Sequence, residues 1–282
     1  MTNSKELFND LVNRITLKED KSEIQSIVYL LLEKKLRLTK TELLAGKEID
    51  AIKPSFFDRT IAEINAHTPI QYILGEADFY GRPFRVNSSV LIPRPETELL
   101  IHEIRSEFLT FGSKALKILD IGTGSGCIAI TLAMEIPRAS VHATDISKEA
   151  IHTAQYNAET LHASVTFHKH NILTEEISFG SFDLVVSNPP YISQEEKKAM
   201  KQNVLMYEPH LALFAPAEDP LAFYKAIASK GKKILSPDGS VWVEINEHFG
   251  DEVCTIFEEA GYQSVRMIKD LDTKNRIVTA LR

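Results

Sequence analysis

The chain has 282 residues, 44% of them hydrophobic and 25% charged, the make-up of a globular protein of one large domain or two. Its net charge of −7 falls wholly beyond residue 75: residues 1–75 hold 11 basic and 11 acidic side chains, and the remainder 21 and 28. That balance argues against a duplex-DNA binder, which carries a basic footprint. No apolar run reaches the length of a membrane span and the N-terminus lacks a signal-peptide pattern. The two cysteines, Cys127 and Cys254, form neither a disulfide framework nor a metal-ligand spacing, so a cytoplasmic protein without a metal is expected.

In chain order, residues 1–75 predict helices. Ser4 precedes a helical spacing of Leu7, Phe8, Leu11, Val12 and Ile15. Glu23 to Leu36 places Ile24, Ile27, Val28, Leu31 and Leu32 on one face. Thr39 or Thr41 caps a short helix that Gly46 stops, and Phe56 to Ile64 repeats the pattern after Pro54. No strand-like alternation is present, so a small helical bundle is expected. Thr68 to Gly75 reads as a further helical turn that Gly75 ends. Phe79 to Phe84 predicts two short strands about a turn, taken as the connection between domains. Pro93 and Pro95 bracket Arg94 in an extended path before a helix from Glu96 to Phe108.

Strands and helices then alternate. Strands are expected at Leu116–Ile121, Ser140–Thr144, Val165–His168, Phe182–Ser187, Ser240–Ile245, Gln263–Ile268 and Arg276–Leu281. Helices are expected after Gly126, after Ser147, over Pro220–Leu235 and over Phe249–Ala260, with a turn at Pro237-Asp238-Gly239. The last two strands have no room between them for a helix, so an antiparallel hairpin closes an otherwise parallel sheet.

Two stretches carry chemistry. Gly122-Thr123-Gly124-Ser125-Gly126 follows Asp120-Ile121 where strand becomes helix, and Asp145 ends the next strand. Glycines admit a ligand close to the backbone, and an acid after the second strand accepts ribose hydroxyls. The spacing is neither that of a dinucleotide fingerprint nor that of a phosphate-binding loop, yet it suits an adenosine-containing ligand. A tight helix–sheet junction with a capping acid is the plainer alternative. The second stretch is Asn188-Pro189-Pro190-Tyr191, where a buried strand stops at two prolines. The Asn188 oxygen and the Pro189 carbonyl can each accept one hydrogen of a planar NH2 group, and Tyr191 offers a flat face. Alone, the tetrapeptide fits a strand-ending turn equally well. Cys127 is better read as a small residue opening a helix than as a nucleophile, and His168 and His170 as packed or solvated rather than metal ligands.

The glycine loop, Asp145 and Asn188-Pro189-Pro190-Tyr191 together resemble the class I S-adenosylmethionine-dependent methyltransferases that act on amino nitrogens. Pro69 to Gly75, Ile92-Pro93-Arg94-Pro95-Glu96-Thr97-Glu98, Tyr207-Glu208-Pro209 and Asp219-Pro220-Leu221 narrow the resemblance to the peptide chain release factor glutamine methyltransferase family. It implies an α/β fold: a Rossmann-like seven-stranded methyltransferase sheet with an antiparallel last strand, preceded by a small helical N-terminal domain and a β-hairpin linker. The expected division is a helical substrate-recognition domain over 1–75, the hairpin linker over 76–92 and the S-adenosylmethionine-dependent domain over 93–282. The implied activity is methyl transfer from S-adenosylmethionine to the glutamine amide of the Gly-Gly-Gln motif in release factors. The alternative is an adenine or guanine amino group of DNA or RNA.

The resemblance also implies residue roles. Asp120, Gly122, Thr123, Gly124, Ser125, Gly126 and Asp145 would face the methyl donor, with Asp145 on its ribose. Asn171 and Ile172 stand where the family usually has an acid and an aromatic near adenine. Asn188, Pro189, Pro190 and Tyr191 would hold the target amide, with Asn188, Pro189 and Tyr191 catalytic and Asn188 also touching the donor. A monomer acting on a protein substrate, without membrane or metal, is expected.

Overall fold

The computed structural model describes residues 1–109, 115–193 and 195–282. Two compact units emerge: Met1–Gly75 with Lys201–Tyr207, and Glu76–Met200 with Glu208–Arg282. Among the described residues no helix is long and apolar enough to cross a membrane.

The first unit is built on helices. Strand β1 (Thr2–Asn3) leads into α1 (Ser4–Arg14), followed by α2 (Lys21–Leu36), α3 (Lys40–Ala45), β2 (Glu48–Ile49), α4 (Asp58–Asn65) and α5 (Ile70–Leu74). Its core joins Leu11, Val28, Leu31, Leu32 and Ile64, and each such side chain stabilises the fold by roughly 1.5–3 kcal/mol on leaving water. Asn3 caps α1, its side chain accepting from the N–H groups of Lys5 and Glu6, while the buried Ser4 donates to the Glu42 carbonyl. One expectation needs correction. β1 and β2 pair antiparallel, Thr2 with Ile49 and Asn3 with Glu48, where the sequence showed no strand. Two residues cannot display an alternation. Thr39 does cap α3, in a box closed by the Glu42 carboxylate, and Gly46 ends that helix in the left-handed region.

The second unit opens with a hairpin, β3 (Glu76–Phe79) and β4 (Arg82–Arg85), in full register. Tyr80 and Gly81 both have positive φ, the turn whose twist matches a two-residue hairpin. Phe79 and Phe84 are buried in the same core as Leu100, Ile101 and Ile104, so the hairpin is a packed part of this unit. Helix α6 (Pro95–Leu109) precedes β5 (Lys117–Ile121), α7 (Cys127–Glu135), β6 (Ser140–Asp145), α8 (Lys148–Thr160), β7 (Val165–Lys169) and β8 (Phe182–Ser187). After two short helices, α9 (Gln202–Tyr207, of the first unit) and α10 (His210–Leu213), come α11 (Ala222–Ile234), β9 (Leu235–Glu244), α12 (Gly250–Glu259), β10 (Gln263–Lys269) and β11 (Asn275–Leu281).

One seven-stranded sheet runs β10-β11-β9-β8-β5-β6-β7. All pairs are parallel except those of β11, which lies antiparallel between β9 and β10. The apolar runs of β5 and β8 are explained by burial on both faces. The turn expected at Pro237-Asp238-Gly239 is instead a bulge within β9. Leu235 pairs with Phe182 and Ser240 with Leu184, so Ser236–Gly239 loops out opposite Asp183, whose carboxylate accepts from Ser236 Oγ at 3.0 Å. The strand order reverses direction at β5, with β6 on one side and β8 on the other. The C-terminal ends of these parallel strands form the crevice where α/β sheets bind ligands.

Candidate active site

Register alone brings the chemistry together. Ile121, the last residue of β5, pairs with Thr144 of β6 and with Ser187 of β8, so the segments that follow all leave the sheet at one edge. Between them lies a cavity of about 300 Å³. Gly122, Thr123, Gly124, Ser125, Asp145, Asn171, Ile172, Asn188, Pro189 and Pro190 line it, joined by Arg94, Thr97 and His170.

The glycine loop is folded inward. The N–H groups of Gly122 and Thr123 both donate to the Thr144 carbonyl at 2.8 Å, and that of Gly124 donates to Asp145 Oδ2 at 2.9 Å. Three successive amides are therefore committed within the protein. A phosphate would need such amides turned outward, so this loop suits a neutral nucleoside or a cation instead. Gly122 and Gly124 have positive φ, and a Cβ on either meets no atom within 4 Å, leaving their faces open to a ligand. Gly126 differs: a Cβ there would stand 2.8 Å from the Ile130 side chain and 3.0 Å from Ala154 Cβ. It serves close packing of the loop on α7 and α8 and does not line the cavity.

Asp145 Oδ1 accepts from the Ser147 N–H at 2.8 Å, so this carboxylate clips the start of α8 to the glycine loop. Burial raises its pKa, against the backbone hydrogen bonds from Ser147 and Gly124 that lower it. Asp120 is fully buried beneath the loop, outside the cavity lining. Its Oδ2 accepts from Thr123 Oγ1 at 2.6 Å, and burial pushes its pKa up to about 7. Asn157 fastens the loop from behind, donating to the carbonyls of Ser125 and Arg85.

At the end of β8, Asn188 Nδ2 donates to Thr97 Oγ1 at 3.1 Å, and Thr97 Oγ1 donates to Glu244 Oε2 at 2.7 Å. The Tyr191 hydroxyl donates to the other Glu244 oxygen at 3.2 Å. Tyr191 thus stands beside the cavity lining, held by its hydroxyl. Burial raises the pKa of Glu244, while the hydroxyls of Thr97 and Tyr191 and the charge of Arg276 pull it back; the Tyr191 phenol is likewise pushed up by burial. Beside the cavity, Arg94 reaches the buried Glu208 at 2.6 Å, and Glu208 also accepts from the Ile92 N–H.

These features have counterparts in known proteins. Residues 95–215 match the family model described as the methyltransferase small domain. A release factor glutamine methyltransferase of Flavobacterium psychrophilum is 44% identical over 262 residues, 92% of this chain and 92% of that protein. Another, from Streptococcus pneumoniae, is 40% identical over 275 residues, 97% of this chain and 96% of that one.

The chain belongs to the release factor glutamine methyltransferase family.

The fold agrees: a methyltransferase from Pyrococcus furiosus, 21% identical, superposes with a TM-score of 0.52 over 80% of this chain and 98% of that one. Within this family member, the two stretches singled out by sequence meet in one cavity, with Asp120, Gly126 and Tyr191 outside its lining. Sequence reading missed Thr97 as the partner of Asn188, Glu244 as the partner of Thr97 and Tyr191, and Glu208 as the partner of Arg94. Thr97, Arg94 and Glu208 sat inside quoted motifs, but pairings over 91, 147 and 114 residues leave no local signal. Cys127 and His168 have ordinary surroundings, whereas His170 lines the cavity. Burial pushes the Cys127 thiol up to about 12, so it stays protonated at neutral pH. His168 stacks between His142 and Phe179, and among the described residues no cluster of three His, Cys, Asp or Glu could hold a metal ion.

Proposed function

We propose that the chain transfers a methyl group from S-adenosylmethionine to the side-chain amide nitrogen of the glutamine in the Gly-Gly-Gln motif of peptide chain release factors. The observation that carries this reading is a single cavity joining the glycine loop and Asp145 to Asn188 and Pro189, in a chain 44% identical to a release factor glutamine methyltransferase.

The residues fit the donor. The open faces of Gly122 and Gly124 would pass beneath its ribose and methionine, and Asp145 would take the ribose hydroxyls. Asn171 and Ile172 would border the adenine. Inward-turned loop amides and the nearby carboxylates suit a ligand that carries a cationic sulfonium and no phosphate. Asp120 would act through Thr123 to hold the loop, and Ser125 and Gly126 would shape it. When bound, the donor supplies an electrophilic methyl group.

The protein's part is to present the nucleophile. Asn188 Oδ1 and the Pro189 carbonyl accept the two hydrogens of the target NH2. They orient the nitrogen and draw electron density toward it, in a pocket edge stiffened by Pro189 and Pro190 and flanked by Tyr191. A neutral amide is a weak nucleophile, so alignment and preorganised acceptors supply most of the acceleration. The proton leaves after the methyl arrives, so no strong base is required. All the cavity-lining residues named above lie in the second unit, and we assign to residues 1–75 the capture of the protein substrate.

The test is mass spectrometry of a release factor incubated with enzyme and donor, beside its Gln→Ala variant and nucleic-acid controls. Methylation is expected on that glutamine alone. Label in RNA or DNA, with none on the glutamine, would establish nucleobase methylation instead.

A further inference from the structure

We propose that Thr97 and Glu244 dictate which way the Asn188 amide faces and are thereby positioning residues for the reacting nitrogen, an inference that rests on the amide methylation proposed above. Asparagine has two ends of nearly equal shape, one an acceptor and one a donor. Only the orientation with Oδ1 toward the target amide can accept its hydrogen; the flipped one sets NH2 against NH2.

With Glu244 ionised, the hydrogen-bond chain selects the productive orientation. Thr97 and Glu244 are buried, 2% and 1% exposed, so neither exchanges partners readily with water. When ionised, Glu244 can only accept, so the single hydroxyl hydrogen of Thr97 is committed to its Oε2 at 2.7 Å. What Thr97 Oγ1 has left is lone pairs, which the Asn188 NH2 satisfies at 3.1 Å. A flipped Asn188 would press its oxygen on those lone pairs and leave a buried hydroxyl oxygen without its donor, a costly state. Asn188 Oδ1 is therefore turned away from Thr97 and accepts no hydrogen bond from the described residues. The same carboxylate holds the Tyr191 hydroxyl at 3.2 Å, so one buried acid from β9 sets both ends of the Asn188–Tyr191 segment. Neither Thr97 nor Glu244 needs to touch the reacting atoms.

The experiment compares Thr97→Val, Thr97→Ser, Glu244→Gln, the Thr97→Val/Glu244→Gln double variant and Asn188→Ala in the full chain. It measures single-turnover rate at saturating release factor, KM, donor affinity by calorimetry and thermal stability. Thr97→Val keeps shape and removes the acceptor, so the rate should fall about tenfold or more with donor affinity unchanged. Thr97→Ser, which keeps the hydroxyl, should restore it to within a fewfold. Glu244→Gln, whose amide can donate as well as accept, should lower the rate, and the double variant should be no slower than the slower single one. Should Thr97→Val unfold, the rates of Glu244→Gln and Thr97→Ser still decide. Wild-type rates in Thr97→Val or Glu244→Gln, beside a large loss in Asn188→Ala, would overturn the inference and leave the amide mechanism standing. A wild-type rate in Asn188→Ala would overturn the mechanism itself.

Discussion

Two acids at the glycine loop, Asp120 buried and Asp145 partly buried, have opposite tasks. Asp145 borders the cavity with both oxygens already engaged by backbone N–H groups, a preset geometry for receiving ribose hydroxyls. Asp145→Ala should weaken donor binding by about ten- to a hundredfold, the worth of a hydrogen bond to a charged group. Calorimetry checks it, and an unchanged dissociation constant would remove Asp145 from the donor site. Asp120 never reaches the cavity, and its effect is on stability. Its pKa rises from the ordinary 3.8 to about 7 because burial disfavours the charge. A raised folded-state pKa stabilises fully below about pH 4, and that contribution is lost progressively as pH climbs to about 7. Asp120→Asn, which cannot ionise but still accepts from Thr123, should therefore gain stability relative to the parent between pH 5 and 7, the difference levelling off above. Melting temperatures that run parallel across that range would show that Asp120 does not titrate there.

Between elements, the segment entering α6 and the segment before α10 are tied by Arg94 and Glu208. The Glu208 side chain is 1% exposed and that of Arg94 32%, so the pair is sheltered mainly on its acidic side. Removing the cation strands a buried carboxylate, which typically costs about 3–5 kcal/mol; the solvent reaching Arg94 places the expected loss for Arg94→Ala near about 3 kcal/mol. Glu208→Gln retains an acceptor for the Ile92 N–H and should lose less. Denaturant unfolding of the two variants tests the order, and a larger loss in Glu208→Gln would contradict it. Both residues stand in motifs that carried the family resemblance, and the structure gives those motifs a physical task beside the cavity.

At the scale of the molecule, the first unit is discontinuous. Lys201 pairs with Glu19 and Glu23, and the Tyr207 hydroxyl donates to the Ala66 carbonyl at 2.7 Å, so Lys201–Tyr207 belongs with residues 1–75. A fragment starting at Glu76 retains the named cavity residues and should bind the donor with parental affinity while losing turnover on release factor. Its Lys201–Tyr207 segment, robbed of those partners, is where proteolysis should strike first. An unchanged KM for release factor in the fragment would refute a recognition role for residues 1–75. The charge distribution supports a further expectation. With −7 overall and no basic stripe in the sequence, capture of the substrate should rest on shape and polar contacts. KM for release factor should rise less than about tenfold between 50 and 200 mM salt, where six to ten phosphate contacts would cost about 10³–10⁵. A loss on that larger scale would point to a nucleic-acid substrate.

Sequence alone determined what depends on neighbours in the chain. The 3.6-residue spacing of Val28, Leu31 and Leu32, the apolar runs of β5 and β8, the glycines after Ile121 and the prolines after Asn188 each impose a local conformation. The short link between the last two strands foretold the reversed strand. Register and burial decided the rest. Only the pairing of Ile121 with both Thr144 and Ser187 makes the glycine loop and the Asn188 segment walls of one cavity. Only the close approach of Ile130 and Ala154 separates Gly126, a packing glycine, from Gly122 and Gly124, which face open space. The β1–β2 ladder and the bulge at Ser236–Gly239 escaped a local reading because one is two residues long and the other looks like any Pro-Asp-Gly turn. Glu244 lies 147 residues from Thr97 and 53 from Tyr191. A hydrogen bond over such a span is set by how strands and helices pack, and the sequence around each partner carries no trace of the other.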